Sequence, residues 1–175
     1  MSDERTRFAN VVLPHLGDAY ALARWLARND SDAEDIVQEA CLRAFRGIRG
    51  FGNINPRGWV LSIVRNTAYT WLKKHRDPKL VAVDNVEEVE QAGAAWDLGP
   101  ASPEASLIEQ ADAARLEAAI AALPIEFRET LVLRDVEGLD YRTIAEVTGV
   151  PIGTVMSRLA RARRRLMVEL GKETA

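Results

Sequence analysis

Apolar residues recur at three- and four-residue intervals through most of the chain, the period of helices that each bury one side. Leu16, Ala19, Tyr20, Ala23, Leu26 and Ala27 form such a side and predict a first long helix ending near Asn29. Ser31-Asp32-Ala33-Glu34 then has the form of a capping box, with the Ser31 hydroxyl taking the Glu34 amide and the Glu34 side chain reaching back. It predicts a second helix whose core stripe is Val37, Cys41, Ala44, Phe45 and Ile48. Acids crowd the start of that helix and Arg43, Arg46 and Arg49 its end, as the helix dipole favours. After the Gly- and Asn-rich loop 47–56, a third helix, PRGWVLSIVRNTAYTWLKKHR, gathers Val60, Leu61, Val64, Ala68, Trp71 and Leu72 on its core side. Its opposite side carries Ser62, Asn66, Tyr69 and Lys73, flanked by Trp59, Arg65 and Arg76. Amide, aromatic and basic groups on one face suit unstacked bases over a phosphate backbone. For Trp59, closing the edge of the core is an equally good use.

The segment 140–170, DYRTIAEVTGVPIGTVMSRLARARRRLMVEL, has the form of a helix-turn-helix. Ile144, Ala145 and Val147 give its first helix an apolar side, Gly149 can end it in the left-handed conformation, and Pro151 sits where a new helix can begin. In the second helix Val155, Leu159, Ala162, Leu166 and Leu170 form the buried stripe. At about 100° per residue, Ser157, Ala160, Arg161 and Arg164 lie opposite it, with Thr154, Arg158 and Arg165 beside them. Such a face suits a major groove, although a run of arginines is more often only a solvated surface.

Charge divides the chain into three parts. Up to Lys79 it is mildly basic, and from Leu80 to Ala114 eight acids stand with no Lys or Arg; after that the two signs balance. The middle part holds Gly93, Gly99, Pro100, Ser102 and Pro103 and reads as a flexible acidic linker, with Val81, Val83, Val86 and Trp96 as its apolar members. The expected class is all-α: two small helical domains, residues 1–79 and 110–175, joined by the linker 80–109, the second a helix-turn-helix.

Composition narrows the chemistry. With 47% hydrophobic and 28% charged residues, the 175-residue chain is ordinary for a globular protein. No apolar run approaches the roughly 18 residues that span a bilayer, and MSDERTRF holds no signal-peptide core, so a cytoplasmic place is expected. Cys41 is the single cysteine, which excludes an internal disulfide and fits buried filler. His15 and His75 are far apart with no cysteine cluster near them, so no metal site or cofactor is expected. The acids Asp32, Glu34, Asp35 and Glu39 are accounted for by capping and the dipole, and nucleophile, base and oxyanion donors are missing, so no enzyme is expected.

Three segments in order, SDAEDIVQEACLRAFR, NPRGWVLSIVRNTAYTWLKKHR and LPIEFRETLVLRDVEGLDYRTIAEVTGVPIGTVMSRLARARRRL, resemble an extracytoplasmic-function (ECF) sigma factor of the sigma-70 superfamily. The resemblance covers nearly the whole chain apart from the linker and the last residues. It implies that the N-terminal unit, region 2, binds the β′ clamp helices of core RNA polymerase through Asp32, Asp35, Gln38, Glu39 and Arg43. It also implies that this unit reads and melts the −10 promoter element. There Asn66 would meet a base, with Ser62 and Tyr69 beside it on the same face, and the loop 47–55, with Asn53, would shape a pocket for a flipped base. Lys73, Lys74 and Arg76 would hold phosphates. Region 4, the C-terminal unit, would read the −35 element through Met156, Ser157, Ala160 and Arg161, with Thr154, Arg158, Arg164 and Arg165 near phosphates. Many relatives carry Lys or Arg where Met156 stands and a bulkier residue at Ala160, which leaves room for apolar contact with a thymine methyl. Leu131, Val132, Leu133 and Val136 would serve as core, as a docking surface for the β flap, or both. The linker would thread the polymerase or act as a solvated tether.

The resemblance further implies an anti-sigma factor as partner and a monomer when free. A dimeric operator-binding regulator would account for the C-terminal half but not for the Asn66, Tyr69, Lys73 face, and no apolar stripe remains for a dimer. A helical adaptor without nucleic acid leaves the arginine face unexplained.

Overall fold

In the computed structural model the described residues are 2–75 and 105–172, and every regular element among them is a helix. Most of the linker, 80–104, lies outside them, and so does Arg76. The N-terminal unit consists of α1 (Ser2–Val11), α2 (Leu16–Ala27), α3 (Asp30–Gly47) and α4 (Pro56–His75), with single 3₁₀ turns at Leu13–His15 and Ile48–Gly50. α2 ends where Arg28 turns left-handed (φ 58°) and donates its N–H to Arg24 O.

The start of α3 departs from the capping-box expectation. Asn29 is the cap: its extended backbone (φ −157°, ψ 128°) lets its side-chain oxygen accept the Asp32 N–H at 3.0 Å. The helix therefore begins one residue before Ser31, which lies inside the first turn, and a cap must sit outside it with non-helical backbone. The buried stripe is also rotated. Ala33, Ile36, Ala40 and Ala44 face inward together with Ile48, whereas Val37 and Cys41 are half-buried and Phe45 is 38% exposed. α3 is flanked by α2 and α4, and three alanines at its contact let the backbones approach with Ile36 filling the gap. Phe45 instead meets Phe8 of α1 edge-on, with ring centroids 5.6 Å apart.

α4 follows the expected boundaries to within one residue and buries Val60, Leu61, Val64, Ala68 and Leu72, as the wheel predicts. Gly58 and Thr67 are buried too, and the Thr67 hydroxyl is satisfied by the Ile63 carbonyl at 2.6 Å. Trp71 is only half-buried and stacks on His75, centroids 4.0 Å apart. The extra burial arises because α4 has neighbours on two sides, α2 and α3 on one and the C-terminal unit on the other.

That second unit runs α5 (Ala105–Ala121), α6 (Ile125–Leu131), α7 (Tyr141–Thr148) and α8 (Ile152–Lys172). α6 widens at its end into a π-helical turn, Val132–Val136, closed by the Glu137 N–H on Val132 O at 2.9 Å. Leu131, Val132 and Leu133 are core, while Val136 is 51% exposed. The units are packed against each other, α6 on α2 and α7 on α4.

The rotated α3 stripe yields a prediction. Ile36→Ala should lower the unfolding free energy by about 2–5 kcal/mol, the usual cost of emptying a core site, and Val37→Ala by clearly less. Denaturant unfolding of both variants checks this; a larger loss at Val37 would restore the stripe read from periodicity.

Candidate nucleic-acid interface

The helix-turn-helix is built as its sequence implies. Asp140 caps α7 by accepting the Thr143 N–H at 2.7 Å, and this hydrogen bond holds its carboxyl below the usual range. Gly149 ends α7 in the left-handed region (φ 72°), and the Pro151 carbonyl accepts the first amides of α8, Thr154 and Val155. Val155, Leu159 and Ala162 are fully buried, which turns Met156 (51% exposed), Ser157, Arg164 and Arg165 outward. Thr154, Arg158, Ala160 and Arg161 are half-buried along the edges of that face. Ser157 donates its hydroxyl to Thr154 O at 3.1 Å, and the Arg165 guanidinium lies 4.9 Å from the Phe127 ring.

Five arginines stand between Ile152 and Val168, and one is structural. Arg163 forms a fork on Asp135 at 2.7 and 3.1 Å, and those hydrogen bonds hold its pKa above the ordinary value. The fork ties α8 to the end of α6.

On α4, Asn66, Lys73 and Lys74 are exposed, Ser62 is half-buried with its hydroxyl on Trp59 O at 2.7 Å, and Trp59 packs on Phe51 with centroids 4.6 Å apart. Asn66 accepts a hydrogen bond from Arg65 at 3.3 Å. Tyr69 is different. Expected on the open face, it is covered by α6, its ring lying 4.0 Å beneath the Arg65 guanidinium. Arg65 in turn forks onto Glu129 at 2.9 and 3.1 Å, and that carboxylate is wholly buried. Burial pushes the Glu129 carboxyl above its usual range against the opposing pull of Arg65; for Arg65, the Glu129 hydrogen bonds and charge outweigh burial and hold its pKa up. The Tyr69 hydroxyl is buried beside this carboxylate, and burial, then the Glu129 charge, pushes the phenol well above its ordinary value.

Further polar contacts join the units. Arg57 bridges Asp18 at 2.8 Å to the carbonyl and carboxylate of Glu137 at 2.8 and 3.2 Å. Buried Arg128 donates to Ala121 O, Leu123 O and Leu26 O, and Arg28 donates to Ala121 O at 3.0 Å.

The third face is on α3. Asp35 and Gln38 are exposed, Asp32 and Glu39 half-buried, and Glu39 pairs with Arg43 at 3.2 Å. Beside them stand Leu42, 53% exposed, and Phe45. Periodicity assigns Phe45 to the core and gives Leu42 no role, because a one-residue shift in helix phase turns outward-facing apolar residues inward. Among the described residues no cluster of His, Cys, Asp and Glu is disposed to hold a metal ion, and no helix is long and apolar enough to cross a membrane.

Sequence families agree with this arrangement. The sigma-70 region 2 family matches residues 11–77 and the sigma-70 region 4 family residues 113–166. The RNA polymerase sigma-H factor of Pseudomonas aeruginosa is 32% identical over 91% of this chain and 84% of its own length. The ECF RNA polymerase sigma-E factor of Escherichia coli is 34% identical over 75% of this chain and 70% of its own. The chain belongs to the ECF sigma factors. It is also 33% identical to the ECF sigma factor SigE of Mycolicibacterium smegmatis over 94% of its length, and spans 62% of that relative. Among solved structures, the sigma factor RpoE of Bartonella quintana, in complex with the anti-sigma factor NepR, matches with a TM-score of 0.67 and 27% identity, over 94% of this chain and 96% of that one. CnrH, in complex with the cytosolic domain of CnrY, shares the fold at a TM-score of 0.62 and 23% identity, over 94% of this chain and 88% of that one.

The contact between regions 2 and 4 generates two predictions. Arg65→Ala leaves the wholly buried Glu129 without its counter-charge, a loss of about 3–5 kcal/mol, so the units should part; small-angle scattering should show a larger radius of gyration, and an unchanged profile would contradict the assignment. Docking raises the Tyr69 pKa, so the contact is fully favoured below the free phenol's value of about 10 and weakens as pH rises past it. Tyrosinate absorbance should show one of the three tyrosines ionising only as the units separate; three ionising together with the units still docked would count against it.

Proposed function

We propose that this chain is a dissociable promoter-specificity subunit that acts in the cytoplasm without enzymatic chemistry of its own. α3 binds core RNA polymerase through Asp32, Asp35, Gln38, Glu39 and Arg43, with Leu42 and Phe45 as apolar contacts. α4 and the loop before it read and open the −10 element through Asn53, Ser62, Asn66, Tyr69, Lys73, Lys74 and Arg76. α8 reads the −35 element as duplex through Thr154, Met156, Ser157, Arg158, Ala160, Arg161, Arg164 and Arg165. The domains are 1–79 and, because α5 begins at Ala105 inside the stretch read as linker, 105–175 rather than 110–175. What supports this reading is that one chain carries two distinct exposed polar faces, an amide-and-lysine face on α4 and an arginine face on α8, each within its matched sigma region.

Melting needs no hydrolysis. A protein that binds an unpaired strand more tightly than the duplex shifts the equilibrium toward the open form. Arg65 and Tyr69 meet Glu129 in the docked chain, so DNA and region 4 compete for one side of α4, and engaging the −10 strand requires α6 to leave. An anti-sigma factor is the natural partner for an inactive form, a reading supported by the Bartonella relative's complex with NepR.

Transcription by purified core polymerase on genomic promoter fragments tests this reading. Discrete start sites should appear only with the chain added. Arg161→Ala should lower output from promoters with an intact −35 element by about tenfold, the usual order for one base contact, and leave core binding unchanged. Asn66→Ala should reduce permanganate reactivity of −10 thymines. Absence of new transcripts together with failure to co-elute with core enzyme would refute the proposal.

A further inference from the structure

We infer that Arg7, on α1, is a positioning residue for the loop 51–55, fixing the shape in which that loop receives an unstacked promoter base. The inference rests on the reading of this loop as part of the −10 surface, and adds to it a helix and a residue outside the regions that touch DNA.

The loop turns through the left-handed region twice. Asn53 and Asn55 have φ of 60° and 50°, a left-handed conformation that asparagine adopts more readily than other residues with a side chain, and contacts from two helices select it here. At the inner limb that selection comes from α4. Asn55 accepts the Gly58 N–H at 3.1 Å, and any Cβ on Gly58 would stand 2.6 Å from the Asn55 amide, so the turn and the glycine require each other. Phe51 is buried against Trp59 at the other end.

The outer limb is held by α1. Arg7 donates to the Phe51 carbonyl and, at 3.3 Å, to the Asn53 side-chain oxygen, while Glu4 one turn earlier pairs with Arg49 at the loop's entrance. A single guanidinium thus spans a main-chain and a side-chain acceptor two residues apart, which fixes both the path of the loop and the direction of the Asn53 amide. Between the two anchors the crest is open: Gly52 and Asn53 are exposed and Ile54 is 83% exposed. An apolar side chain beside an oriented amide suits an extruded base, which needs both a surface to lie on and hydrogen-bond partners for its edge.

Without Arg7 the loop would sample other conformations, and apparent affinity for the correct base falls in proportion to the fraction that keeps the competent one. Its loss should therefore act on base choice rather than on folding or polymerase binding.

The test uses the full chain with core polymerase on promoters carrying each of the four bases at every −10 position, scored by open-complex formation. Arg7→Ala should reduce the preference at one position by about tenfold, the order expected for a lost hydrogen bond to a charged group. Asn53→Ala should affect the same position. Arg7→Lys should recover part of the preference, since an ammonium can still donate to the Phe51 carbonyl. Core affinity and −35 dependence should match the parent chain. An unchanged base profile in Arg7→Ala alongside an altered one in Asn53→Ala would overturn the role of Arg7 while leaving the loop's. A uniform loss at all positions, not recovered by Lys, would make Arg7 merely structural and overturn it too. A parent chain with no base preference in the −10 element would instead overturn the reading of the loop itself.

Discussion

A carboxylate with no exposure to solvent governs how the two halves of this protein meet. Glu129 is buried in α6, and the fork from Arg65 of α4 compensates its charge. Burying an ion pair returns little net stability, because the desolvation of two charges consumes most of their attraction, yet removing one partner is costly. The contact is therefore specific in geometry without being strong in net energy. Polar contacts also cross between the units around it: Arg57 between Asp18 and Glu137, Arg128 on the Leu26 carbonyl of α2, and Arg28 on the Ala121 carbonyl at the end of α5. These polar pairs stand beside an apolar core that is continuous through both units, and they can exchange when another partner offers equivalent acceptors, as interfaces between domains commonly do. Phosphates are acceptors of that kind for Arg65.

The cost of that arrangement falls on α4. The same helix supplies core to region 2, a docking surface to region 4 and the exposed Asn66, Lys73 and Lys74. In α8 the duties are separated by helix face: Val155, Leu159 and Ala162 inward, Met156 and Ser157 outward, and Arg163 assigned to Asp135. The arginine face of α8 is therefore open while the units are docked, whereas on α4 Tyr69 is covered and Asn66, Lys73 and Lys74 are open.

Features set by local chemistry were legible in the sequence. The helix-turn-helix could be read because Asp140, Gly149 and Pro151 each act within a few residues of their own position. The inward side of α4 could be read because five large or well-spaced apolar residues fix its phase. The stripe of α3 could not, since its contact consists of alanines, and Val37, Cys41 and Phe45 make a more hydrophobic pattern one position away from the true one. Ser31 and Glu34 match the capping-box pattern, but the left-handed turn at Arg28 leaves Asn29 extended and gives the cap to it. The covering of Tyr69 depends on a residue sixty positions later, and α1 has no apolar stripe strong enough to announce it. Contacts distant in sequence leave no periodic signal.

On the proposed function, docking of region 4 on α4 and engagement of promoter DNA by α4 are mutually exclusive states of one chain. A fluorophore pair at Asn10 and Glu146, both exposed, with Cys41 replaced by Ala, measures the separation of the units in the free protein and in its complex with core polymerase and promoter. The account predicts a single short distance in the free chain and a longer one in the open complex. The same short distance in a complex whose −10 element is melted would contradict it.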